Sequence, residues 1–182
     1  MQNIEEDKKL VSDFLAGDET AFNKLVSKYQ QRIYWHARRM TNNHIDADEI
    51  TQEVFIVMYK KLRSFKFDSS LYTWIYRITS TRSLNLLRKK KIKNFFSIED
   101  SEVLQLSSDK DIVHSYDDKE RLEKLEKILN KLPVKQREVF SLRHFDELTY
   151  EEISNITGKS VGGLKANYFH ALKKVTELMD DE

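Results

Sequence analysis

The stretch TYEEISNITGKSVGGLKANYFHALKK, residues 149–174, decides the fold class of this chain. Thr149 with Glu152 three residues later is the capping-box pattern that opens a helix, and Gly158 is the residue type that closes one in the left-handed conformation. Ser160 can then cap a second, longer helix. A short helix, a glycine turn and a longer helix have the dimensions of a helix-turn-helix, although such pairs also occur as plain packing units.

The second helix of this pair carries side chains suited to duplex DNA. Lys165, Lys173 and Lys174 can neutralise phosphates, and the amide of Asn167 can donate to and accept from adenine at once. An exposed asparagine is more often merely solvated, so the role of Asn167 depends on the motif around it. The residues expected to hold the two helices together are Tyr150, Ile153, Ile156, Leu164, Phe169 and Leu172.

Four further helices are predicted in the amino-terminal half. Apolar residues at three- and four-residue spacing predict helices over residues 5–16 and 18–39. Asp46 is expected to cap a third helix, and Ser69 or Ser70 to cap a fourth. Helices of this number and length predict a compact four-helix bundle.

A polar stretch separates the two halves of the chain. Residues 97–117 mix serines, acids and scattered aliphatics without a helical period, which predicts a linker. Helical spacing then resumes, and Pro133 suits the first turn of the next helix. The predicted fold is all-α, with two small helical domains, residues 1–93 and 119–182, joined by a flexible linker over residues 94–118.

Composition supports helices and excludes several classes of protein. The 182 residues include one proline, four glycines and no cysteine, which disfavours turn-rich β folds and excludes disulfide frameworks and thiolate zinc sites. The five histidines have no paired-ligand spacing, and no phosphate-binding glycine loop or catalytic motif occurs. No catalytic residue, metal site or cofactor is predicted. Without a signal segment or an apolar run of roughly 18 residues, the chain is expected to be cytoplasmic, with no membrane insertion.

The aromatic and basic residues of FKFDSSLYTWIYRITSTRSLNLLRKKK, residues 65–91, alternate in a way that suits single-stranded DNA. Rings can stack on unpaired bases, at about 1–3 kcal/mol per base, while cations follow the backbone. The net charge of +1 conceals this basic run because acidic segments elsewhere offset it. Trp74 could instead belong to the core, but Tyr72, Tyr76 and Arg77 are harder to bury together.

Three stretches together resemble the extracytoplasmic-function group of the sigma-70 family, and the likeness runs from Asp18 to Val175. DADEITQEVF, residues 46–55, is similar to the family's core-binding helix, and SLYTWIYRI, residues 70–78, to the start of its promoter-melting helix. Residues 132–172 are similar to the region that reads the minus-thirty-five element. All three occur in the family's order, with a linker before the last.

The resemblance implies a bacterial RNA polymerase specificity subunit without catalysis of its own, and it assigns the surfaces. The face expected to dock on the clamp helices of the polymerase's largest subunit is Asp48, Glu49, Gln52 and Glu53. The residues expected to contact minus-ten DNA are Phe67, Asp68, Ser69, Tyr72, Trp74, Tyr76, Arg77, Arg82, Asn85 and Arg88. Those expected at the minus-thirty-five element are Ser160, Gly163, Lys165, Asn167, Tyr168, His170, Lys173 and Lys174. Implied partners are core polymerase, promoter DNA and an anti-sigma factor.

Some residues depart from the family's pattern. Thr81 stands where the family usually has asparagine, and Gly163 replaces a common threonine. Asn167 and His170 fall where arginines are frequent, so the promoter sequence cannot be copied from relatives. Two alternatives stay open: a helix-turn-helix regulator that acts without polymerase, and a helical adaptor whose basic faces bind acidic proteins. Neither explains both the acidic helix and the aromatic-basic segment.

Overall fold

The computed structural model describes residues 4–96 and 116–180. Throughout these residues the regular structure is helical and no strand occurs, which confirms the predicted all-α class. The helices are α1 (Ile4–Leu15), α2 (Glu19–Thr41), α3 (His44–Lys61), α4 (Leu71–Phe96), α5 (Tyr116–Lys131), α6 (Val134–Phe140), α7 (Tyr150–Thr157) and α8 (Val161–Asp180), with a 3-10 turn at Leu62–Ser64 and a π-helical turn at Ser141–Phe145.

Most predicted helix ends are confirmed, and one cap is wrong. Asp18 accepts from the Thr20 amide at 2.9 Å, and Ser70 Oγ accepts from the Thr73 amide at 3.1 Å. Helix α3 begins at His44, because Asn43 rather than Asp46 is its cap and accepts from the Asp46 amide at 2.9 Å. Two residues of capping type stand three apart here, and the first of them wins.

The predicted linker is too long at both ends. Residues 94–96 continue α4, and residues 116–118 already belong to α5. Residues 97–115, the rest of the predicted linker, lie outside the described residues. We call α1–α4 the amino-terminal part and α5–α8, with the π-helical turn, the carboxy-terminal part.

A hydrophobic core runs between the helices of the amino-terminal part. Leu25 and Ile33 of α2 meet Val54 and Met58 of α3 and Ile75 of α4, and all five are at most marginally exposed. Removing this apolar area from water stabilises the bundle by about 25 cal/mol per Å².

The two parts pack against each other. Apolar side chains of the carboxy-terminal part are buried in the same cluster as those of α1–α4: Val139, Leu142, Leu148, Ile153, Ile156 and Leu164. A second, smaller cluster lies within the carboxy-terminal part and joins α5, α6 and α8: Ile128, Leu129, Leu132, Phe140, Ala171 and Val175. Among the described residues, no helix has the length and apolar composition needed to cross a bilayer.

Candidate nucleic-acid and protein interfaces

The outer face of α3, formed by Asp48, Glu49, Gln52 and Glu53, is accessible to a partner. Helix α3 turns Ile50, Val54 and Met58 into the core, so the residues between them point to solvent. The side chains of Asp48 and Glu53 are 49% and 43% exposed. The predicted docking face is therefore assembled on one side of a helix whose other side is fixed by packing.

An ion pair joins this face to the predicted promoter-melting helix. Glu53 Oε2 lies 3.1 Å from Arg82 Nη1 across the groove between α3 and α4, and Asn85 and Arg88 line the same groove. Both partners of the pair are more than 40% exposed, so it adds little stability. It does place a predicted polymerase contact and a predicted DNA contact side by side.

The loop before α4 presents aromatic rings. The Phe65 ring centroid lies 4.6 Å from that of Phe67 and 5.0 Å from that of half-buried Trp74. Phe67 has φ of 58°, a left-handed conformation uncommon for a bulky residue, and its side chain stays partly exposed. Asp68 beside it is exposed, and Ser69 is half-buried. These side chains form an accessible aromatic corner.

Helix α4 divides the predicted minus-ten residues into two groups. Arg77, Arg82, Asn85 and Arg88 are exposed along its length. Tyr72 and Tyr76 are buried at 3% and 1% exposure, contrary to the expectation that such residues are hard to bury together. Burial raises the pKa of Tyr72 to about 12 and also raises the pKa of Tyr76. The covering side chains come from the carboxy-terminal part, which lies against this stretch of α4.

Sequence reasoning missed the group that covers Tyr76. Asp146, at the end of the π-helical turn, accepts from Arg39 Nη2 at 2.7 Å and from the Tyr76 hydroxyl at 3.2 Å, and its second oxygen lies 3.1 Å from His36 Nδ1. We call these four residues the Asp146 cluster. Burial alone would raise the pKa of Asp146, but His36 and Arg39 outweigh it and hold that pKa below its ordinary value. Nothing local in the sequence marks this contact, because the donors lie about a hundred residues away.

The helix-turn-helix forms as predicted. Thr149 Oγ1 accepts from the Glu152 amide at 3.2 Å while the Glu152 carboxylate accepts from the Thr149 amide at 2.8 Å. Gly158 has φ of 70°, and Ser160 Oγ accepts from the Gly163 amide at 3.3 Å. Hydrogen bonds thus fix both helix starts and the turn between them.

The predicted minus-thirty-five residues are mostly exposed on α8. The exposed members are Ser160, Gly163, Lys165, His170, Lys173 and Lys174. Tyr168 is half-buried, with its ring stacked 5.9 Å from Phe140. Asn167 is also half-buried, and its Nδ2 donates to the Gly163 carbonyl at 2.7 Å. Its amide can therefore contact adenine through both atoms only after this bond within the helix breaks.

Phe169 is exposed, and its predicted packing role is wrong. Its side chain is 63% accessible, whereas α8 buries Leu164, Ala171 and Val175. Leu172, assigned the same packing role, is 40% exposed. Phe169 precedes Lys173 by four positions, so the two side chains share the outer face of α8. The spacing of Leu164, Tyr168, Ala171 and Val175 already indicated the inner face of this helix.

Two protein-family models match the chain. Sigma-70 region 2 matches residues 25–92, and Sigma-70, region 4 matches residues 122–175. Among relatives, the ECF RNA polymerase sigma factor SigW of Bacillus subtilis (strain 168) is 32% identical over 184 residues, covering 96% of this chain and 97% of that protein. The ECF RNA polymerase sigma-E factor of Escherichia coli (strain K12) is 31% identical over 179 residues, covering 93% and 92%.

Two solved structures share the fold. CnrH, in complex with the cytosolic domain of CnrY, has a TM-score of 0.74 and 21% identity, covering 97% of this chain and 99% of that chain. The sigma factor RpoE from Bartonella quintana, in complex with the anti-sigma factor NepR, has a TM-score of 0.69 and 20% identity, covering 87% and 96%. The helical arrangement is thus shared well beyond the two matched regions.

Proposed function

Because the chain belongs to the extracytoplasmic-function group of the sigma-70 family, we propose that it binds core RNA polymerase and directs it to a restricted set of promoters. In this role the chain is a non-catalytic specificity subunit acting in the cytoplasm. The observation that carries the proposal is the presence, in one chain, of an accessible docking face on α3 and a helix-turn-helix with an exposed basic face. The direct test is transcription by core polymerase from a candidate promoter, with and without this protein.

The proposed promoter contacts divide by the state of the DNA. The aromatic corner around Phe67 and Trp74 suits a base displaced from the minus-ten element, because ring stacking repays part of the unpairing energy. Arg77, Arg82 and Arg88 continue from it as cations for the backbone. Helix α8 suits the major groove of the minus-thirty-five duplex, where its lysines hold phosphates without reading sequence.

An anti-sigma factor is a further proposed partner. RpoE from Bartonella quintana is solved with the anti-sigma factor NepR, and CnrH with the cytosolic domain of CnrY. Since this chain shares their fold, we propose that it too is held by a regulatory protein. Co-purification from cells that produce a tagged form of this chain would test the proposal.

The docking face leads to the first prediction. Replacing Gln52 and Glu53 together with alanine should weaken core polymerase binding by about tenfold or more, because exposed polar contacts at an interface centre are lost. The free energy of unfolding should change by no more than about 0.5 kcal/mol, since both side chains are exposed. Polymerase affinity by fluorescence titration and thermal denaturation measure the two effects.

Lys60→Ala is the matched control, because Lys60 is exposed on the same helix outside the docking face. It should leave polymerase affinity unchanged. Equal affinity of the double variant and wild type would remove the docking face from the proposal.

The exposed ring of Phe169 leads to the second prediction. We propose that it contacts a thymine methyl group in the major groove, as phenylalanine can. Phe169→Ala should then weaken binding of the preferred minus-thirty-five duplex by about tenfold. The duplex should be tested with each thymine replaced by uracil, which removes only the methyl group, in complex with core polymerase.

One uracil substitution should weaken binding by the wild type and leave Phe169→Ala unaffected. Lys173→Ala is the comparison: it should weaken thymine and uracil duplexes alike and reduce the salt dependence of binding. If the methyl group has the same effect on Phe169→Ala as on wild type, Phe169 has no part in reading it.

A further inference from the structure

The surface between the two parts is built around a charged centre. Asp146 comes from the carboxy-terminal part, and all three of its partners, His36, Arg39 and Tyr76, come from the amino-terminal part. The carboxylate is 7% exposed, the Arg39 side chain 14%, and His36 fully buried. A buried carboxylate is costly unless it is paired, so this one is stable only while the two parts stay together.

Further contacts surround the Asp146 cluster. Arg137 Nη1 donates to the Met40 carbonyl at 2.8 Å in a buried setting, and Arg38 Nη2 lies 2.9 Å from Glu126 Oε2. The Arg39 guanidinium also lies 4.7 Å from the Phe145 ring centroid. Polar contacts thus join α5, α6 and the π-helical turn to α2, over the apolar surface that both parts bury.

The same contact occupies residues proposed to bind promoter DNA. Arg77 donates to the Asn155 carbonyl on α7, and the Tyr76 hydroxyl donates to Asp146. Tyr72 is buried beside Tyr76, with the two ring centroids 4.3 Å apart. One edge of the proposed minus-ten surface is therefore covered by the helix-turn-helix of the same chain.

We propose that this is a self-inhibitory contact, in which α7 and the turn at Asp146 dock on α2 and α4 and must separate before the chain can read a promoter. The inference rests on the proposed function. The two promoter elements lie about 25 base pairs apart, which is about 85 Å along B-DNA at roughly 3.4 Å per base pair. Helices α4 and α7 touch in this arrangement, so α4 and α8 cannot reach both elements at once.

Two substitutions on opposite sides of the contact test the inference. Asp146→Asn removes the central charge from the carboxy-terminal part, and Arg39→Gln removes its strongest partner from the amino-terminal part. Because the chain has no cysteine, exposed Lys9 and Lys131 can be changed to cysteine in the full-length protein and labelled with a fluorescent donor and acceptor. Energy transfer reports separation of the two parts, and fluorescence anisotropy reports binding of a mixed-sequence single-stranded DNA.

Both substitutions should change energy transfer and strengthen single-stranded DNA binding by about ten- to a hundredfold, because more of the protein then populates the competent state. The sign is informative, because Asp146→Asn makes the chain more positive and Arg39→Gln makes it less so. Charge alone would move DNA affinity in opposite directions. Glu147→Gln and Lys60→Gln repeat the two charge changes at exposed positions and are the matched controls.

The inference is overturned if the two parts separate without stronger DNA binding, or if each variant merely matches its charge control. It is equally overturned if energy transfer stays at the wild-type value in both variants. Should Asp146→Asn fail to fold, as circular dichroism would show, Arg39→Gln decides alone. A chain that is not a sigma factor would fail the polymerase titration with Gln52 and Glu53, whereas this inference can fail with that test passed.

Discussion

Phe140→Ala should lower the free energy of unfolding of the carboxy-terminal part by about 3–5 kcal/mol, the usual cost of deleting a fully buried aromatic side chain. Phe140 is 1% exposed in the small cluster that joins α5, α6 and α8. Its ring centroid lies 4.9 Å from that of His144 and 5.9 Å from those of Phe145 and Tyr168. A cluster with so few buried residues cannot collapse to fill the cavity.

Phe169→Ala is the matched control, because it deletes the same side chain at an exposed position of the same helical part. Its free energy of unfolding should stay within about 0.5 kcal/mol of wild type. Urea denaturation followed by tyrosine and tryptophan fluorescence measures both variants. A loss of stability as small for Phe140→Ala as for Phe169→Ala would mean that the second cluster does not hold this part together.

Lys159→Met should destabilise the chain by about 3 kcal/mol, because it leaves a buried carboxylate without its cation. Glu138 of α6 is 1% exposed, and its Oε2 lies 2.5 Å from Lys159 Nζ, which reaches in from the turn of the helix-turn-helix. Thermal denaturation measures the loss. Lys135→Met, an exposed lysine on the same helix as Glu138, should leave the melting temperature unchanged.

The companion variant Glu138→Leu/Lys159→Met should recover most of the lost stability, because replacing both members of a buried pair with apolar residues is often neutral. A double variant as unstable as Lys159→Met would contradict this account. In that case the methylene chain of Lys159, rather than its charge, would hold the turn in place.

The helix boundaries followed from local chemistry, and that explains which of them were predictable. The caps at Asp18, Thr149 and Ser160 depend on hydrogen bonds within three residues, so sequence alone was sufficient. The start of α3 was wrong because Asn43 and Asp46 compete for one cap. Local patterns give both residues the same preference, and the ion pair between Asp46 and Lys90 favours the outcome seen.

The candidate surfaces were predictable only as far as one helix determines them. The outer face of α3 followed from the period of its buried residues. The burial of Tyr76 did not, because Asp146 lies 70 positions later in the chain. Phe169 was assigned to the wrong side because α8 offers adjacent aromatic residues, and only packing against Phe140 selects Tyr168 as the inner one.

The π-helical turn at Ser141–Phe145 has a consequence for how such chains diverge. Its Asp146 amide donates to the Ser141 carbonyl at 3.2 Å, five residues back, so this turn holds one residue more than an α-helical turn would. Losing a single codon here would restore a regular helix and rotate every later side chain by about 100°. Asp146 would then no longer face Arg39. An insertion or deletion of one residue is therefore enough, over evolution, to give or remove a buried charge at this surface while leaving the helices on both sides intact.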